Sequence, residues 1–142
     1  MSEQKVMKQM GSYADFPFDE YQLRKEKAMS LMEDNGLDGL LLFNPMNLTY
    51  YTGFRRSWTT NWPQVAIMSR TGETTLIVPQ IWGDFAEEST WVDKVNPYGG
   101  SSVWGLEQDP LRLIVKRVKE MGLAEKTIGV ELGSSNTYML LS

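Results

Sequence analysis

Leu40-Leu41-Leu42-Phe43-Asn44-Pro45-Met46-Asn47-Leu48-Thr49-Tyr50-Tyr51-Thr52-Gly53 carries more information than any other stretch of this 142-residue chain. A short apolar run halts at Asn44-Pro45, gives way to a polar-aromatic turn and ends at Thr52-Gly53. Asn44 is a side chain that caps new helices, and Pro45 suits the first helical position because its missing N–H would be unpaired there anyway. Gly53 supplies the positive φ that lets the chain leave. The local physics reads as a strand feeding a short helix, with a loop beyond it.

Working outward, Leu37 to Phe43 is apolar without alternation, as in a strand covered on both faces. Upstream, Phe16-Pro17-Phe18-Asp19 announces a long helix. Its spacing predicts Asp19 as N-cap with Gln22 in a capping box, and a hydrophobic staple between Phe18 and Leu23. The apolar stripe predicted for it runs through Tyr21, Ala28, Leu31 and Met32, and Asn35-Gly36 closes it. Downstream, 64–69 and 74–79 read as two strands joined by a hairpin turn at Arg70-Thr71-Gly72-Glu73, hence antiparallel. A helix over 80–89 is expected to bury Ile81, Trp82 and Phe85. Trp91 to Val95 alternates like a half-exposed strand, and 96–108 reads as loop.

Asp109-Pro110 opens a second strong helix, predicted to bury Leu111, Ile114, Val115 and Val118 while Lys116, Arg117 and Lys119 face solvent. Thr127 to Leu132 is a further strand. Glu131 within it needs a partner if buried, and is expected to pair with an Arg or face water. Tyr138-Met139-Leu140-Leu141 begins an apolar helix that stops with the chain, so continuation beyond Ser142 is expected. Residues 1–15 read as a tail or partner-dependent arm, and 16–142 as one domain.

Composition bounds the chemistry. The length suits a single domain with a real core. A net charge of -4 argues against a nucleic-acid surface, which needs clustered cations. No apolar run reaches bilayer-spanning length, and the first residues lack the apolar core of a secretory signal, so the expected setting is cytoplasmic without a membrane partner. There is no Cys, hence no disulfide framework, and no His, hence no imidazole base for a Ser triad or a metal. No phosphate-cradling glycine motif occurs. Asp84, Glu87 and Glu88 read as a solvated helix face rather than an acid–base pair.

The best functional candidate is Phe54-Arg55-Arg56-Ser57-Trp58-Thr59-Thr60-Asn61-Trp62-Pro63. Arg forks hold carboxylates bidentately, and Trp offers flat apolar contact and a face for cations. Three uses stay open: Trp rings covering the sheet with Arg in water, a protein interface, or direct ligand contact through Arg55, Arg56, Trp58 and Trp62.

Asn44-Pro45-x-Asn47-x-x-Tyr50-x-Thr52-Gly53, preceded by Phe16-Pro17-Phe18-Asp19-Glu20-Tyr21 and Met32-x-x-x-Gly36-Leu37-Asp38-Gly39-Leu40, and followed by Thr127-Ile128-Gly129-Val130-Glu131, resembles the amino-terminal domain of the creatinase and Xaa-Pro aminopeptidase (prolidase) superfamily. The resemblance runs from about Phe18 to the chain end. It implies an α/β fold with a mixed β-sheet flanked by helices, ribonuclease H-like. It also implies a following pita-bread catalytic domain that binds divalent metal ions and cleaves C–N bonds, with no catalytic residue, cofactor or metal ligand in the present chain.

Two functional expectations follow. In one, the chain is the non-catalytic front domain of a metal-dependent hydrolase, a homodimer partner that caps a neighbouring active site with the 54–63 loop. In the other, it is a stand-alone interaction module using that same loop.

Overall fold

The computed structural model describes residues 14–55, 62–101, 103 and 105–131. Helix α1 (Phe18–Asp34) leads to strand β1 (Gly39–Leu42), helix α2 (Pro45–Thr52), strands β2 (Val65–Ser69) and β3 (Thr74–Pro79). A 3-10 turn (Gln80–Trp82) runs into α3 (Gly83–Ser89), followed by β4 (Lys94–Tyr98), α4 (Pro110–Glu120) and β5 (Ile128–Val130). The sheet order is β4-β3-β2-β1-β5. β1, β2 and β3 form an antiparallel meander, while β5 joins β1 and β4 joins β3 in parallel. This is the mixed, helix-flanked sheet expected from the sequence.

The unbroken apolar character of the central strands has a direct cause: both faces are covered. Leu42, Ala66, Leu76 and Val78 pack with Leu48 of α2, Phe54 and Ala86 of α3. Residues of opposite parity, Phe43, Val65, Ile67 and Ile77, pack with Leu113 and Ile114 of α4. Met68 meets Ala28 and Met32 of α1 on the α2 side of the sheet. The β2–β3 hairpin forms as expected, with Val65 opposite Ile77 and Met68 opposite Thr74.

Several local expectations fail, each for a tertiary reason. α1 starts two residues earlier than predicted, with Pro17 at the N-cap and no side-chain cap, so Asp19 lies in the first turn and no capping box forms. Pro17 O accepts from Glu20 N and Tyr21 N instead. Leu23 and Leu31 are exposed, because α1 presents Tyr21, Ala28 and Met32 inward and nothing among the described residues covers its outer side. The staple therefore does not form. Ile81 of the 3-10 turn and Phe85 of α3 are exposed, while Gly83, Ala86 and Ser89 of α3 are buried. At Gly83 a Cβ would be in contact with Pro97 of β4, 3.4 Å away. β4 takes in Asn96, Pro97 and Tyr98, where loop was expected.

α4 begins as predicted: Asp109 Oδ1 accepts from Leu111 N at 2.9 Å, with Pro110 at the first position. Its buried side is rotated, however. Leu113, Ile114 and Arg117 are buried, whereas Leu111 and Val115 are exposed. Arg117 was expected in solvent. It donates instead to Thr75 Oγ1 at 2.9 Å and pairs with Glu73 and Glu120, satisfying its fork as it crosses the sheet.

Candidate functional site

The Asn-Pro corner builds the site. Asn44 Oδ1 accepts from Met46 N at 2.9 Å, an N-cap bond, and Pro45 starts the eight-residue α2. At the far end Thr52 Oγ1 donates to Leu48 O at 2.5 Å and accepts from Phe54 N at 3.0 Å. Gly53 takes φ 81°, and its N–H closes on Thr49 O. A Cβ there would only touch Phe16 and Ser89 O, so it is the left-handed conformation that calls for glycine. Thr49 Oγ1 donates to Phe54 O at 3.1 Å, and the Phe54 ring is buried against Phe85.

These bonds fix the first root of the candidate loop. The second root is Pro63, whose carbonyl accepts the Tyr98 hydroxyl at 2.8 Å, followed by buried Gln64 and β2. Burial raises the Tyr98 pKa well above its ordinary value, so the hydroxyl stays a donor.

Of the four candidate site residues, Arg55 and Trp62 are described and both are exposed. Arg56 and Trp58 lie outside the described residues. The Arg55 guanidinium sits 3.3 Å from Asp15 Oδ1, with its side chain 67% exposed. An ion pair so open to water is weak, leaving the fork able to exchange Asp15 for another carboxylate. Trp62 is 55% exposed, a large apolar surface beside the rigid root at Pro63.

Two residues that the sequence reading did not assign to the site hold this corner. Glu131 was expected to pair with an Arg or face water. Its Oε2 accepts from both Phe43 N and Asn44 N at 2.7 Å, and Oε1 accepts from Asn47 Nδ2. The parallel register Leu41↔Val130 explains this, because residue 131 then falls beside the point where β1 turns into α2. Only knowledge of that pairing would have revealed it. Arg24 works at the other end of α2: Nη1 donates to Tyr50 O at 3.0 Å and Nε to Glu20 at 2.7 Å. Its guanidinium lies 4.3 Å from the ring centres of both Phe16 and Tyr50.

Asp84, Glu87 and Glu88 are exposed, as read from the sequence. Among the described residues no group of three or more His, Cys, Asp or Glu could hold a metal, and no helix is long and apolar enough to cross a membrane. Two shallow depressions flank α4. One, of about 460 Å³, is lined by Leu111, Arg112, Val115, Lys116 and Lys119. The other, of about 490 Å³, lies between α4, β4 and residues 105–108.

The family model described as the creatinase/prolidase N-terminal domain matches residues 24–142. The chain belongs to the creatinase/prolidase N-terminal domain family. No curated protein matches it. Among solved structures, a prolidase from Thermococcus sibiricus is similar at 21% identity and TM-score 0.67, with 85% of this chain and 31% of that one covered. The N-terminal domain of an Xaa-Pro dipeptidase from Lactobacillus brevis is similar at 16% identity and TM-score 0.66, covering 82% and 84%. A dipeptidase from Pyrococcus horikoshii OT3 gives 19% identity and TM-score 0.64, covering 82% and 30%. The chain thus spans under a third of the length of the Pyrococcus and Thermococcus proteins. At these identities the likeness is one of fold.

Proposed function

We propose that this domain is the non-catalytic front part of a metal-dependent hydrolase of the Xaa-Pro peptidase or creatinase type, acting in the cytoplasm. It contributes to a homodimer and walls the active site of the neighbouring subunit with the loop between Phe54 and Pro63. Its partners are its own C-terminal catalytic domain and a second subunit, with neither nucleic acid nor membrane involved. Arg55 or Arg56 would hold a substrate carboxylate, and Trp58 or Trp62 would exclude water. The catalytic domain would supply the divalent metal ions and the hydroxide that they activate.

The observation that carries this reading is the mounting of the loop. Phe54 is anchored in the core and Pro63 is held by Tyr98, while Arg55 and Trp62 between them face outward. Binding residues displayed on a loop with rigid roots are the common way a scaffold presents a site. Family membership and the names of the similar structures supply the reaction class.

The reading frame tests it. Residues encoded past Ser142 should form a further domain with several carboxylates and a His suited to metal binding. In that assembled enzyme Arg55→Ala should raise KM with little change in kcat, because the group holds substrate rather than the transition state. A reading frame that stops at Ser142 would instead favour the stand-alone interaction module. The exposed Trp62 beside Arg55 is the feature that supports that second reading.

A further inference from the structure

α2 is held from outside at both ends by charged side chains of matching sign. At its N-terminal end sits the Glu131 carboxylate, bonded to Phe43 N, Asn44 N and Asn47 Nδ2. Near its C-terminal end sits the Arg24 guanidinium, bonded to Tyr50 O. The partial positive charge of a helix N-terminus and the negative charge of its C-terminus favour this arrangement. Neither anchor belongs to α2 or to the loop. Glu131 directly follows β5, and Arg24 lies in α1.

We propose that Glu131 is a positioning residue for Gly53 to Arg55, the described first root of the candidate loop: its carboxylate fixes the start of α2, and the helix carries that placement to Gly53 and Arg55. Eight helical residues form a rigid strut about 12 Å long. The apolar contacts of Leu48 hold the strut against the sheet, but they resist sliding poorly, since dispersion and hydrophobic contacts are non-directional. The two 2.7 Å bonds from Glu131 to successive backbone amides supply the direction, and charge-assisted bonds of this kind are the strong ones. Gly53 and Phe54 then set where Arg55 leaves the core. Asp15 meets Arg55 at that exit, and Phe16 lies against Gly53.

A consequence for substrate binding rests on the functional reading above, whereas the anchoring itself does not. The test therefore reads amides of the 142-residue chain, so that a failed anchor and a failed functional assignment are told apart. Hydrogen exchange and amide resonances are measured for Phe43 and Asn44, for Gly53 to Arg55, and for Ile114 to Val118 of α4 as a reference. In Glu131→Ala, exchange at Phe43 and Asn44 should rise at least tenfold relative to α4, and the Gly53–Arg55 resonances should move. Glu131→Gln keeps an acceptor oxygen and should give the same pattern with a smaller rise, about threefold. If the Ala variant does not fold, the Gln variant alone decides. Release of Phe43 and Asn44 with Gly53–Arg55 unmoved overturns the proposal, and so does equal acceleration in α4.

Discussion

α2 and α4 open on the same signal, an Asn or Asp cap followed by Pro, and both caps form as the residues predict. Their fates differ beyond the first turn. α2 is capped at both ends by bonds made within ten residues of sequence, to which Glu131 and Arg24 add distant anchors, and it buries Leu48 and Thr52. α4 turns Arg117 inward and leaves Leu111 and Val115 outside. Caps are local chemistry, settled by neighbours in the chain. Which side of a helix is buried is settled by what the sheet offers, and β3 offers Thr75 with Glu73 close by to an arginine fork.

Substitutions can break this contrast, and the largest effect belongs at the corner. Leu48→Ala should cost about 3 kcal/mol in urea unfolding, since it removes a fully buried side chain under α2. Arg117→Ala should cost about 2 kcal/mol, the loss expected when a hydrogen-bonded, mostly buried cation leaves its acceptors behind. Lys116→Ala on the outer side should change stability by less than about 0.5 kcal/mol. Equal losses at Arg117 and Lys116 would mean that α4 packs as the sequence stripe suggested.

Gly53→Ala should destabilise by about 1.5 kcal/mol, because a side chain at φ 81° is strained. Glycines that the fold does not need in the left-handed region should cost less on the same unfolding curves.

A pH effect comes from α1, on the same side of the sheet as the corner. Tyr21 is fully buried, and its hydroxyl faces that of Thr74 without well-formed hydrogen-bond geometry, so Thr74 offsets only part of the effect of burial. Burial therefore dominates and pushes the Tyr21 pKa from 10.0 up to about 12, with the charge of Asp93 adding to the rise. The unfolded chain loses this proton first, so its contribution is whole below pH 10 and falls as pH climbs towards 12. Unfolding measured near pH 11 should show a Tyr21 share of about 1 kcal/mol lost relative to neutral pH, beside that of the likewise raised Tyr98, and Tyr21→Phe should remove that share. The smallest effect closes the series: Leu111→Ala should stay within about 0.5 kcal/mol, against the far larger loss at Leu48.

Much of the fold was legible because its signals are short-ranged or periodic. The Asn44-Pro45 and Asp109-Pro110 caps, the Gly36 and Gly53 exits and the hairpin about Gly72 all declare themselves locally. The inward faces of α3 and α4 did not. Ile81 and Phe85 are more apolar than Ala86, yet Ala86 is the one buried, packed with Leu76 and Val78 of β3. For the site, the loop was visible as a cluster of Arg and Trp, but its support was not. Glu131 stands 87 residues from Asn44 and reaches it only through parallel pairing of β5 with β1.

The claim on which the rest depends is that this domain shapes a site whose chemistry is performed elsewhere. The direct measurement is turnover of an Xaa-Pro dipeptide and of creatine by the purified 142-residue chain, with added manganese, cobalt or zinc and with a chelator. The account predicts no metal-dependent hydrolysis under any of these conditions. Hydrolysis that scales with chain concentration and disappears with the chelator would contradict it.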